Sequence, residues 1–136
     1  MTRQYDIDLA KGRIQVAFHR QKAAEDNLQM ANYRDALHAG YYAAYTAIRV
    51  LLNLEYDEQK NHGGNIGNFR RYYIKTQLLD LKLSGYIGEL YKFRDIGDYD
   101  LDFIPDVEMV ASLVTQAREF IEAIQQYLNE KYQMQS

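Results

Sequence analysis

Apolar side chains recur at intervals of three and four residues along almost the whole chain, and a single proline, Pro105, interrupts them. A stripe of that period is buried by helices packed against helices. With so few prolines the backbone is free to be helical over long stretches. No run of useful length alternates apolar and polar residues, so strands are not expected, and neither an internal repeat nor a low-complexity segment is present.

The first stripe, Ile7, Ala10, Ile14, Ala17, Ala24 and Leu28, predicts a helix from about Ile7 to Met30, interrupted at Arg20 and Gln21. Asn32 is placed to cap a second helix from Tyr33 to about Leu54, its side chain accepting from the amide of Asp35. The inner line of that helix is Leu37, Tyr41, Ala44, Ile48, Leu51 and Leu52, and small Gly40, Ala43, Ala44 and Ala47 allow a neighbour to approach closely. The short link between these helices predicts an antiparallel hairpin.

A polar loop is expected from Glu55 to Gly64, ended by the breaker Asn61-His62-Gly63-Gly64. A shorter helix, Asn65 to Leu79, turns Ile66, Phe69, Tyr73 and Ile74 inward and carries the densest basic cluster, Arg70, Arg71 and Lys75, on its outer face. Ser84 is a candidate cap for a helix from Gly85 to Ile96, with Gly97 as its terminator. Leu83, Ile87 and Leu90 share one face with Arg94. A loop from Asp98 to Pro105 follows, with Leu101, Phe103 and Ile104 available to pack down. The last helix starts near Asp106 and buries Val110, Val114, Ala117, Ile121, Ile124 and Leu128, ending near Tyr132 with a frayed tail from Gln133 to Ser136. The expectation is an all-α fold, an up-and-down four-helix bundle with an additional short helix, forming a single domain over 1–136.

A chain of 136 residues can bury a core unaided. It has no cysteine, which excludes disulfides, a thiol nucleophile and thiolate metal sites and fits a reducing cytoplasm. The N-terminus lacks the apolar core of a signal peptide, and the most apolar stretch, Ala39 to Leu54, is broken by Arg49 and Asn53, so no membrane association is expected. With a net charge of −3, contact with a polyanion requires a local basic patch. Thirteen tyrosines and no tryptophan suit half-wet grooves, where the ring is buried and the hydroxyl solvated.

Arg94 is the most informative residue. A guanidinium on an inner helix line must be paired. Two readings follow: an ion pair with Asp95 or Asp98 that pins the loop, or an anion contact for phosphate or nucleotide, for which arginine geometry is suited. His62, beside Lys60 in a glycine-rich loop, is either a loop histidine or a proton carrier at a phosphate site. Tyr41 and Tyr42 are core and interface packing or the wall of such a site. Neither His19 nor His38 has a partner at metal-ligand spacing, so no metal or other cofactor is expected. The Arg70, Arg71 and Lys75 face is a solvated surface or a patch for RNA or a partner.

Four strings resemble one family. Tyr33-Arg34-Asp35-Ala36-Leu37, then Gly40-Tyr41-Tyr42-Ala43-Ala44-Tyr45-Thr46-Ala47 and Leu51-Leu52, are similar to the second helix of HEPN-domain proteins. Lys60-Asn61-His62-Gly63 is similar to the family's Lys-x-His segment. Arg94-Asp95-Ile96-Gly97-Asp98-Tyr99 resembles the Arg-x-x-x-Asp-Tyr signature of one HEPN branch, and Ala117-Arg118-Glu119-Phe120-Ile121 resembles its last helix. The likeness runs over about residues 8 to 128. It implies a bundle that dimerises, commonly as the toxin beside a minimal nucleotidyltransferase in a toxin–antitoxin pair. Many such domains are metal-independent ribonucleases that use an arginine followed four to six residues later by a histidine. In some pairs the partner attaches AMP to a tyrosine just beyond. Here Arg94 carries over and Tyr99 stands near the modified position, but Asp98 precedes it and no histidine follows. The resemblance thus gives Arg94, Asp98 and His62 as candidate catalytic residues and Arg94, Tyr99, Lys60, Tyr41 and Tyr42 as candidate nucleotide or RNA contacts. The alternative is a non-catalytic dimeric helical module that docks a nucleotidyltransferase.

Overall fold

The computed structural model describes residues 4–134. Five helices follow in order: α1 (Gln4–Gln29), α2 (Tyr33–Glu55), α3 (His62–Phe69), α4 (Lys82–Tyr99) and α5 (Val107–Tyr132). A π-helical turn, Arg70–Ile74, prolongs α3. No strand occurs among the described residues. The fold is all-α: α1, α2, α4 and α5 form the up-and-down bundle and α3 is the additional short helix.

Helix α2 runs through the centre. Its predicted inner line is buried, and so are Ala36, Ala43, Ala47 and Val50 on its other sides. It therefore packs against α1, α4 and α5 at once. Gly40 lies where they converge: a Cβ there would meet Ala24 of α1 at 3.8 Å and Ala117 of α5 at 3.7 Å. The stripe predicted for α5 is wholly buried, and Asp106 caps that helix by accepting from the amide of Met109 at 3.1 Å.

Several local expectations are corrected. Gln21 completes the α1 stripe: it is fully buried and donates to the carbonyl of Val114 at 2.9 Å. The Asn32 side chain does not cap α2. Instead Ala31 takes a left-handed conformation (φ 63°), and the Asn32 amide bonds back to the carbonyl of Asn27 at 2.8 Å, closing the hairpin turn. Gly63 and Gly64 form the first turn of α3 and do not break it, because Asn61 caps it by accepting from the Gly64 amide at 2.6 Å. Helix α4 starts before Ser84, with Asp80 accepting from the Lys82 amide at 2.9 Å, and runs through Gly97 to Tyr99. Leu101 and Ile104 do not pack down: they are 92% and 87% exposed. The tail does not fray at once. Gln133 closes α5 in a left-handed conformation and Met134 is buried, while Gln135 and Ser136 lie outside the described residues.

Candidate functional site

Because α4 continues past Gly97, Arg94 and Asp98 stand one turn apart on the same face. The Arg94 side chain is only 11% exposed. Its guanidinium carbon lies 4.8 Å from the ring centre of Tyr41, 5.3 Å from that of Tyr42 and 5.9 Å from that of Tyr91. These rings supply quadrupolar attraction to a cation that has lost most of its water. Nη2 donates to the Tyr42 hydroxyl at 3.0 Å. The carboxylates stand further off, Asp98 at 3.6 Å from Nε and Asp95 at 3.9 Å from Nη1. Nε is buried and has no hydrogen-bond partner. Burial works against the charge, but Tyr42, Tyr41 and Asp98 outweigh it and hold the Arg94 pKa above the ordinary arginine value.

Tyr41 connects Arg94 to His62. Its ring is fully buried, and its hydroxyl lies 2.6 Å from Nδ1 of His62. Burial pushes the Tyr41 phenol well above its usual range, so it remains protonated. Burial, and then the charges of Arg94 and Arg49, hold His62 below the usual histidine value. A neutral ring is therefore the resting form. With the phenol donating to Nδ1, the ring proton sits on Nε2 and His62 offers a donor from that edge. Tyr45 stacks on the imidazole at 4.0 Å, and Asn65, buried at the start of α3, donates to the Tyr45 hydroxyl at 2.8 Å. On the other flank, Nδ1 of His38 lies 3.5 Å from Asp98 and its ring 4.7 Å from that of Tyr42.

The bundle thus gathers Arg94, Asp98, His62, Tyr41 and Tyr42 from three helices. Lys60 is exposed on the rim of a depression that also holds His62 and Tyr45. Tyr99 is not brought in: it is 77% exposed at the end of α4. The basic cluster is split, because Arg70 turns back to bond Ser84 Oγ at 2.9 Å and its carbonyl at 3.1 Å. Sequence reasoning missed His38, Tyr45, Tyr91 and Asn65. Helical spacing could have found three of them, since His38, Tyr45 and Tyr91 stand one turn from Tyr42, Tyr41 and Arg94 on the same helices, whereas Asn65 joins only through packing of α3 on α2. Arg34 was also missed. It donates to the carbonyls of Gly97, Asp100 and Phe103, which pins the loop after α4. The task given to Arg94 in the ion-pair reading is done largely by Arg34. Among the described residues no three His, Asp or Glu side chains group as a metal site, and no helix is long and apolar enough to cross a membrane.

The family model of the HEPN domain matches residues 10–127, and the chain belongs to this family. Two similar proteins of Methanocaldococcus jannaschii each carry the name "Putative toxin". One is 30% identical over 109 residues, covering 79% of this chain and 74% of the relative. The other is 30% identical over 114 residues, covering 79% and 84%. A "UPF0332 protein" of Thermotoga maritima is 23% identical over 121 residues, covering 85% of this chain and 92% of that one.

Proposed function

We propose that this chain is the toxin-type component of a cytoplasmic toxin–antitoxin pair whose partner is a minimal nucleotidyltransferase, and that it binds RNA or a nucleotide through Arg94. The observation that carries the reading is the state of that guanidinium: nearly buried on three tyrosine rings, yet with no hydrogen bond from Nε and both carboxylates held only at ion-pair range, beyond hydrogen-bond reach. A buried arginine with donors to spare is suited to a phosphate. His62 contributes a second donor, Tyr41 and Tyr42 hold the cation, and Lys60 adds charge at the rim. Asp98, 3.6 Å from Nε, orients Arg94. The names of the two archaeal relatives support the toxin assignment. Tyr99, exposed one residue beyond Asp98, is open to a modifying partner.

The test is growth on induced expression. The wild-type chain is expected to inhibit growth, co-expression of a minimal nucleotidyltransferase encoded beside it to relieve the inhibition, and Arg94→Ala to abolish it while the purified variant keeps its helical spectrum. An Arg94→Ala chain as toxic as wild type overturns the reading.

A second reading is a non-catalytic dimeric helical module that docks the nucleotidyltransferase. It draws on the loop that Arg34 holds with Leu101 and Ile104 facing outward. It predicts co-purification with the partner that is lost in Leu101→Asp/Ile104→Asp and unaffected by Arg94→Ala.

A further inference from the structure

A groove of about 200 Å³ opens between α1 and α2, walled by Arg13, Val16 and Arg20 on one side and Thr46, Arg49 and Asn53 on the other, with the Glu58 carboxylate at its edge against Arg49. Arg13 donates to Asn53 Oδ1 at 2.5 Å and Arg20 to Thr46 Oγ1 at 2.6 Å. Both acceptors are neutral, and among the described residues no carboxylate lies within ion-pairing distance of either arginine. Only Arg49 is compensated, by Glu58 at 2.7 Å. In a chain with 19 acidic residues, two neighbouring guanidiniums on one helix line have been left with their charge unspent.

The groove shares Arg20 with a second depression, lined also by His38 and Tyr42, and Tyr42 is the residue that accepts from Arg94. Thr46, which holds Arg20, stands one turn from Tyr42, which holds Arg94. Arg13 and Arg20 are separated by about 10 Å of helix, seven residues at the α-helical rise. A mononucleotide fills one end of this path. A ligand with phosphates repeated along a chain can engage Arg94, Arg20 and Arg13 in succession. Between Arg20 and Arg94 stand the rings of His38 and Tyr42, with His38 half exposed. A cationic groove with partly open rings recognises unpaired bases, which can stack, and not a closed duplex.

We propose that the α1–α2 groove is a track for single-stranded RNA entering the Arg94 site, with Arg20 and Arg13 each taking a backbone phosphate. The proposal rests on the reading of Arg94 as an anion contact and specifies its ligand as a polymer.

The experiment measures binding of the full chain to a fluorescein-labelled single-stranded oligouridylate across a salt series, and to UMP by calorimetry. Arg13→Gln/Arg20→Gln is expected to weaken oligonucleotide binding at least about tenfold. It should also lower the slope of log affinity against log salt by about 1.4, at about 0.7 for each phosphate contact removed. Its UMP affinity should match wild type, and Arg94→Gln should weaken both ligands. A double variant with wild-type oligonucleotide affinity and slope overturns the track, as does a parallel loss of UMP binding. UMP binding that survives Arg94→Gln overturns the reading of the site, and the track falls with it only if the double variant also binds the oligonucleotide like wild type. A wild-type chain that binds neither ligand overturns both. Urea melts of each variant keep unfolding out of the comparison.

Discussion

Two nearly buried charges sit among tyrosines against helix α2, Glu55 at its C-terminus and Arg94 brought to it by α4, and they are treated in opposite ways. At the C-terminus of α2 the Glu55 side chain is 7% exposed. Its oxygens accept from Tyr73 at 2.7 Å, Tyr127 at 2.9 Å, Lys131 at 2.6 Å, and from Tyr132. Towards the other end, Arg94 is 11% exposed and makes one hydrogen bond, to Tyr42. Burial alone would raise the Glu55 pKa, but the bonds from Lys131 and the three phenols outweigh it and lower the value. A saturated charge ties α2, the π-turn and α5 together. An unsaturated one costs stability and keeps bonding capacity for something that arrives later.

Breaking each centre should therefore give different phenotypes. The largest effect is expected for Glu55→Ala, which removes the acceptor of the buried Tyr73 hydroxyl, of the half-buried Tyr127 and Tyr132 and of the half-exposed Lys131 ammonium. It should cost about 2–3 kcal/mol of stability, read from urea midpoints. Arg94→Gln should shift the same midpoint by under about 1 kcal/mol, because few bonds are lost, while phosphate-ligand affinity falls by about 1.5–3 kcal/mol. If Arg94→Gln destabilises as strongly as Glu55→Ala, Arg94 is a second staple and the contrast is false.

This division explains what the sequence made legible. The α5 stripe and the core line of α2 follow from helical period alone, and the structure buries every residue assigned to them. Arg94 was recognisable because a cation on an apolar line is anomalous in any bundle. Its one-turn relation to Asp98 depended on where α4 ends, and Gly97 pointed to the wrong place. A glycine stops a helix when it takes a left-handed turn, but here no glycine has positive φ and Arg34 donates to the Gly97 carbonyl. The Glu55 centre was invisible: its donors stand 18 to 77 residues away and only tertiary packing assembles them.

Acid separates the two regions next. Both lowered pKa values disfavour protonation in the folded state, so each centre stabilises the fold at high pH and loses that stabilisation as pH falls. For His62 the loss begins below the ordinary value of 6.5, and for Glu55 below 4.5. Stability against pH should show a shallow fall below about 6.5 and a steeper one below about 4.5. His62→Gln should remove the first and Glu55→Gln should shrink the second, to which Glu25, held low by its bond from Arg118, also contributes. A single limb unaffected by Glu55→Gln would mean that the carboxylate is not the acid-sensitive staple.

The smallest effect sharpens the contrast most. Tyr73→Phe deletes one of the donors to Glu55 and leaves the ring, so no cavity opens. The carboxylate retains Lys131, Tyr127 and Tyr132, and the backbone carbonyl of Leu51, 3.5 Å from the hydroxyl, loses little. The expected cost is about 0.5–1.5 kcal/mol, a neutral hydrogen bond removed without stranding a charge. The Glu55 pKa should rise with the lost donor, moving the acid limb to higher pH. A cost near that of Glu55→Ala would show that the donors act as one indivisible network, and the staple would then be strong because it is brittle and not because it is redundant.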